Sequence, residues 1–165
     1  MKVDQDHFLE ILEQNKGILY KIANTYSNDR EDQKDLVQEM TFQLYRSFDK
    51  YDKRFRWSTY IYRIALNVAI SYYRKEKSSS RASRISESLL EMPDPDSMVQ
   101  SEHEHLGLLR KFINQLNPLD KALMLLYLDD TSTTEMANIL GITETNVTSK
   151  IYRIKKKLRQ QFENY

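Results

Sequence analysis

The sequence predicts an all-α protein: two small helical domains joined by a flexible linker. Three observations carry that prediction. Apolar residues return at three- and four-residue steps in both halves of the chain, which is the period of an amphipathic helix. Only three glycines and three prolines occur in 165 residues, too few for the many turns of an all-β design. The stretch from Ser78 to Gln100 loses the period and carries Ser78-Ser79-Ser80 and the paired prolines of Met92-Pro93-Asp94-Pro95-Asp96. The expected organisation is a domain over 1–84, a linker over 85–101 and a second domain over 102–165. With 40% apolar and 30% charged residues and a mean hydropathy of −0.69, each half can bury a core, but a small and marginal one.

The elements follow in order. Phe8, Ile11, Leu12, Leu19, Ile22 and Tyr26 form one stripe, so a helix starts near Asp4 or Asp6. Ser27-Asn28-Asp29-Arg30 is a polar break. Leu36 or Val37, Met40, Leu44 and Phe48 mark a second helix whose outer side carries Asp35, Gln38 and Glu39. Asp49 to Arg54 has no apolar period and reads as a loop. Trp57, Ile61, Ile64, Val68 and Tyr72 mark a third helix to about Lys77. The linker has room for one helical turn around Ile85–Leu90.

Beyond the linker, Leu106, Leu109, Phe112, Ile113 and Leu116 make a stripe. Asn117-Pro118 starts the next helix, with proline where its missing N–H is harmless, and Leu119, Ala122, Leu123 and Leu126 follow. Ser132-Thr133-Thr134-Glu135 matches a reciprocal capping box. That short helix ends at Gly141, expected in the left-handed conformation. Thr143 caps a last helix with Val147, Ile151, Ile154 and Leu158 inward.

Composition excludes several classes. With no cysteine there is no disulfide framework, thiolate metal site or cysteine nucleophile. No Gly-rich phosphate loop is present. No apolar run approaches a membrane span and the start lacks a signal-peptide core, so a cytoplasmic protein with no membrane contact of its own is expected. The net charge of +1 conceals segregation: Tyr51–Arg84 carries +7, Ile85–Leu109 carries −6 and Asn146–Tyr165 carries +5. Two basic blocks around an acidic linker point to polyanion contacts at two places.

Three constellations could carry function. Thr133–Leu158 reads as a helix-turn-helix, with Ala137 at the helix crossing and Gly141 in the turn. With its apolar stripe inward, the last helix turns Thr145, Ser149, Tyr152, Arg153 and Lys156 outward, flanked by Thr148 and Lys150. Donors for base edges and cations for phosphates on one helix are what duplex recognition needs. The bland reading is a helical hairpin with a solvated basic face; the turn chemistry and the charge block together favour DNA binding. On the third helix, Tyr60, Arg63, Asn67, Ser71 and Arg74 share a stripe, with Arg54, Arg56, Lys75 and Lys77 at its ends. Such a row suits single-stranded nucleic acid, rings stacking on bases and cations tracking phosphates; Trp57, on the apolar stripe, reads as core. The Asp35–Glu39 face is either solvated or a dock for a basic partner. His103 and His105 lie on different sides of a helix and cannot both ligate one metal well. No nucleophile–base pair, cofactor site or metal site is expected.

Taken together, the residues resemble the sigma-seventy family of bacterial RNA polymerase sigma factors, in its small two-domain extracytoplasmic-function group. Asp35-Leu36-Val37-Gln38-Glu39 is similar to the polymerase-binding helix of the family's region two. Tyr60-Ile61-Tyr62-Arg63-Ile64-Ala65-Leu66-Asn67 is similar to its promoter-melting segment, and Leu116-Asn117-Pro118 with Thr134–Arg159 to region four.

The resemblance implies a factor, not an enzyme, that binds core polymerase, directs it to promoters and helps open them. Asp35, Gln38 and Glu39 would meet the polymerase clamp, and the polymerase flap is a further expected contact. Tyr51, Arg56, Trp57, Tyr60, Arg63, Asn67 and Arg74 would engage the minus-ten element. Thr145, Thr148, Ser149, Lys150, Tyr152, Arg153 and Lys156 would engage the minus-thirty-five element. An anti-sigma partner is implied by the family alone. Lys150 stands where the family often has arginine, and lysine cannot make arginine's bidentate guanine contact, which leaves the promoter sequence open. The alternative is a conventional helix-turn-helix repressor or activator whose N-terminal helices dimerise or bind an effector. A dimerising helix would present apolar residues where Asp35, Gln38 and Glu39 stand.

Overall fold

The computed structural model describes residues 4–78 and 100–164, and all of its regular elements are helices. They are α1 (Gln5–Tyr26), α2 (Arg30–Ser47), a 3-10 turn (Phe48–Lys50), α3 (Trp57–Ser78), α4 (Gln100–Gln115), α5 (Pro118–Leu128), α6 (Thr133–Leu140) and α7 (Glu144–Glu163). Of the inferred linker, residues 85–99, with the helical turn around 85–90, lie outside the described residues, whereas Gln100 and Ser101 already belong to α4.

Local chemistry sets most helix ends. The Asp29 side chain caps α2 by accepting from the Glu31 amide at 3.3 Å, and Asn117 caps α5 by accepting from the Asp120 amide at 2.9 Å, with Pro118 opening the helix. Ser132 accepts from the Glu135 amide at 3.2 Å and Thr143 from the Asn146 amide at 3.1 Å. Each such cap satisfies one of the donors that a helix start leaves unpaired, contributing about 1 kcal/mol. Gly141 takes φ +67°, and its amide and that of Ile142 close on the Ala137 carbonyl. A side chain at that φ would cost strain, so glycine permits the tight corner between α6 and α7.

Helices α1, α2 and α3 pack around Leu19, Ile22, Leu36, Met40, Leu44, Ile61 and Leu66. The second core gathers Phe112, Leu116, Leu123, Leu126, Met136, Ile139, Val147, Ile151 and Ile154. At its centre lies α5, buried continuously from Lys121 to Leu126.

The two halves also pack on each other, α3 against α5 and α6 and α1 against α5. This shifts the buried face of α3. Sequence periodicity places Trp57, Ile61, Ile64, Val68 and Tyr72 inward; the structure fully buries Ile61, Tyr62, Ala65, Leu66 and Ala69, together with Thr59 at 4% exposure. A helix covered from two sides loses the single stripe that a one-sided helix shows. Leu106 departs in the opposite sense: it is 55% exposed, whereas Phe112 and Leu116, further along the same stripe, are buried. The capping box is half formed. Glu135 does not reach back to Ser132; its Oε1 accepts from the Thr59 hydroxyl of α3 at 2.8 Å.

Candidate nucleic-acid and polymerase interface

Three surfaces hold the residues singled out in the sequence. On α2, Asp35, Gln38 and Glu39 are all exposed, and Glu39 accepts from the Gln43 amide group at 2.9 Å. One turn on, Phe42 is exposed with the Arg46 guanidinium 5.7 Å from its ring centre. Leu36, Met40 and Leu44 hold the opposite side in the core, so the acidic face is fixed outward.

The second surface is the loop before α3 and the outer side of that helix. Asp52 organises the loop by accepting from the Arg54 backbone amide at 3.0 Å and from its guanidinium at 2.7 Å. These hydrogen bonds hold the Asp52 carboxyl below its ordinary range. The Tyr51 hydroxyl donates to the Phe55 carbonyl. Trp57 is stacked by Tyr51, with ring centres 3.5 Å apart and planes at 14°, and by Phe48 at 5.0 Å and 13°. Two near-parallel rings that close to one indole would overlap if they shared a face, so they cover opposite faces. The His7 ring adds an edge contact at 6.1 Å.

The α3 stripe divides. Asn67, Ser71 and Arg74 are exposed, as is Arg56 ahead of the helix. Tyr60 turns inward, and its hydroxyl donates to the Ser47 carbonyl. Arg63 lies with its guanidinium 5.2 Å from the Phe55 ring centre and donates to the Asn138 carbonyl of α6 at 2.6 and 3.2 Å. The expected row of five therefore presents three side chains to solvent. Neither face of Trp57 is open to a base, and Tyr51 has one face spent on Trp57.

The third surface is α7. Thr145, Thr148, Ser149, Tyr152, Arg153 and Lys156 are exposed, Tyr152 to 68%, while Lys150 is half-buried. Thr148 returns its hydroxyl to the Glu144 carbonyl at 3.0 Å, and Arg153 reaches the Ser149 carbonyl at 3.4 Å. Both bonds stay within the helix, so the face remains available to a partner. Lys155 leans over the Tyr127 ring at 5.2 Å. His103 and His105 are exposed on α4. No helix among the described residues is long and apolar enough to cross a membrane.

A polar set between the halves carries no sequence signal. Lys21 Nζ lies 2.6 Å from both oxygens of the Asp129 carboxylate, and the Tyr62 hydroxyl donates to the same group. Burial by itself would raise the Asp129 pKa, but the hydrogen bonds from Lys21 and Tyr62 outweigh it and lower the value. Burial first, then Asp129, pushes the Tyr62 phenol up. The Tyr26 hydroxyl donates to the Pro118 carbonyl at 2.7 Å. Lys121, 3% exposed, sits 4.3 Å from the Tyr73 ring centre and 5.8 Å from that of Tyr26. Burial, with Lys77 nearby, pulls its pKa down to about 8. The hydrogen bonds of this set join residues 67 to 108 positions apart, which no periodicity records.

Comparison with known proteins places these surfaces in a family. Residues 11–79 match the family model for Sigma-70 region 2, and residues 106–158 match that for Sigma-70, region 4. The chain is 25% identical over 173 residues to the ECF RNA polymerase sigma factor SigW of Bacillus subtilis (strain 168), covering 99% of this chain and 92% of that one. It is also 25% identical over 153 residues to ECF RNA polymerase sigma factor SigM of the same organism, covering 91% of each. Among solved structures, CnrH in complex with the cytosolic domain of CnrY matches with a TM-score of 0.69 at 19% identity, over 98% of this chain and 90% of that one. The sigma factor RpoE in complex with the anti-sigma factor NepR from Bartonella quintana matches at 0.69 and 18%, over 95% and 97%. With regions 2 and 4 both matched, in that order, and full-length relatives of the same kind, the chain belongs to the sigma-70 family, in its extracytoplasmic-function group.

Proposed function

We propose that this chain is a sigma factor: it binds core RNA polymerase, directs it to specific promoters and helps open the minus-ten region, with no catalysis of its own. The observation that carries the reading is the presence, on one chain, of both matched regions with an exposed acidic face on α2 and an exposed recognition face on α7. Residues 1–84 would act as region two, 102–165 as region four, and 85–101 as a linker. The −6 charge of Ile85–Leu109 suits a segment that occupies a path meant for nucleic acid.

Asp35, Gln38 and Glu39 would dock on the clamp. Their carboxylates suit a basic partner surface, and a fixed outward face lowers the ordering cost of docking. Thr145, Thr148, Ser149, Tyr152 and Arg153 would read the minus-thirty-five element, with Lys150 and Lys156 on phosphate. Extracting a base of the minus-ten element costs a few kcal/mol, which a fitted pocket must offset. Asn67, Arg74 and Arg56 would form the open part of that site. Tyr51, Trp57 and Tyr60 would brace the loop beside it, and Arg63 would join when released from Asn138. An anti-sigma factor is a natural partner, since a structural relative is seen bound to one. Such a factor works in the cytoplasm, where polymerase and promoter meet.

The test is run-off transcription with sigma-free core polymerase of the host and genomic DNA fragments, sequencing the transcript starts. Discrete starts that appear only with the chain and share two upstream boxes are expected. No new starts, with the chain nonetheless bound to duplex DNA without core, would favour a conventional helix-turn-helix regulator.

A further inference from the structure

We propose that Lys121 and Lys77, both set against the Tyr73 ring, form a binding site for a small phosphate-type oxyanion. Lys121 is a buried ammonium without an anion. It is 3% exposed, and burying a charge is costly unless an opposite charge or hydrogen bonds compensate. Among the described residues it makes no ion pair, and its Nζ donates no hydrogen bond. The rings of Tyr73, at 4.3 Å, and Tyr26, at 5.8 Å, face it instead. The charge that acts on it is a second cation, Lys77, whose Nζ lies 5.5 Å from the same Tyr73 ring centre. Lys121 also stands in the first turn of α5, where the helix dipole is positive. The carboxylate of that turn, Asp120, accepts from the Asn117 side-chain amide at 2.9 Å.

Two ammoniums beside a helix start suit a doubly charged oxyanion, since charge-assisted hydrogen bonds and the dipole act in the same sense. Access sets its size. At 3% exposure a nucleic-acid strand cannot bring its backbone to Lys121, whereas a free ion can. The site is not sealed. The sealed, unpartnered side-chain polar atom among the described residues is Asp120 Oδ1, so Lys121 Nζ keeps contact with solvent. Lys77 is exposed, and its long side chain can swing onto an ion held at that opening. The site stands on these groups alone and holds whether or not the chain directs polymerase to promoters.

The experiment titrates the full-length chain with inorganic phosphate at constant ionic strength in chloride. Phosphorus-31 line broadening reads binding, and the urea midpoint reads stability. Saturable binding with a raised midpoint is expected, because a ligand of the folded state stabilises it by mass action. Lys121→Met should weaken binding by about tenfold or more, the loss of one charge-assisted hydrogen bond. Lys77→Gln should weaken it by about threefold, as for an exposed pair. The pH series is decisive. Lys121, faced by Tyr26, Tyr73 and Lys77, has a pKa of about 8. Phosphate needs its ammonium, so affinity should fall about fivefold from pH 8 to pH 9. An ordinary surface lysine keeps its proton over that range, so general attraction to a basic surface would leave affinity flat.

Adenosine 5′-monophosphate is the second probe. Tighter binding than inorganic phosphate names a nucleotide as the source of the anion, weaker binding names the free ion, and both results support the site. Affinity that stays flat from pH 8 to pH 9, or that survives Lys121→Met, overturns the proposal. So does a failure of both probes to bind saturably. The pH series uses the unaltered chain, so it decides the matter even where a variant misfolds.

Discussion

The outer sides of α3 and α7 carry the same chemistry: aromatic rings, hydroxyls, amides and cations at helical spacing. They are used differently. On α7 every predicted contact residue except Lys150 is exposed, and the Thr148 and Arg153 side chains hydrogen-bond within the helix. On α3 and its leading loop, Tyr51, Trp57, Tyr60 and Arg63 are spent on Phe55, Phe48, Ser47 and Asn138. The difference follows from packing. α7 turns one stripe to one core and leaves the remainder free. α3 is covered from two sides, so polar groups on its flanks find partners within the protein. A recognition face is read safely from periodicity only when its helix has a single neighbourly side.

The widest test of that contrast lies on the other free face, α2. Asp35→Lys with Glu39→Lys should lower affinity for core polymerase by about 100-fold or more, since like charges set against a basic surface cost several kcal/mol. Both positions are exposed, so the helical circular dichroism should not change. Unaltered affinity in a competition titration would remove this face from the assignment.

Next comes the spent face. Trp57→Ala should cost about 3 kcal/mol of stability, as loss of a packed aromatic does, visible as a lower urea midpoint with no promoter present. A midpoint unmoved by the substitution would mean that the indole is a free platform after all. Arg153→Ala should do the reverse. It should leave the urea midpoint in place and weaken complexes on promoters that depend on the upstream box by about tenfold, the effect of one direct DNA contact. Equal response of such promoters would show that the recognition face is drawn wrongly.

The smallest effect is a pH drift between the halves. Lys121 is faced by Tyr26, Tyr73 and Lys77. Its pKa is about 8 in the packed state against an ordinary 10.5, so the open state holds the proton more tightly. Packing of the halves should therefore strengthen as pH rises from about 8 toward 10, while below about 8 the cost of the buried charge is present in full and does not vary with pH. The Tyr26 phenol, pushed up by burial, stays neutral across that window. Lys121→Met should flatten the trend in urea midpoints recorded from pH 7 to 9.5.

The helix-turn-helix was legible almost residue by residue. Its signals are local: the Ser132 and Thr143 caps, the left-handed Gly141 and an inward stripe from Val147 to Ile154 all act within a turn or two of themselves. The acidic face of α2 was legible for the same reason. The face of α3, the exposure of Leu106 and the diversion of Glu135 to Thr59 were not. Each depends on which element arrives from elsewhere in the chain, and spacing along one helix is silent about that. Asp129 is the clearest case: nothing around it distinguishes a solvated helix end from the meeting point of Lys21 and Tyr62.

The indole held between Phe48 and Tyr51 is the chain's sole tryptophan. Excitation at 295 nm therefore addresses a single site, and that site abuts the loop that would receive an unstacked base. Tyr51 lies parallel to it at 3.5 Å, so that ring sets the immediate surroundings of the excited indole. Any rearrangement that separates the pair changes both emission intensity and colour. The protein thus carries an optical gauge of its own loop, and stopped-flow fluorescence can time strand capture without a dye on either molecule.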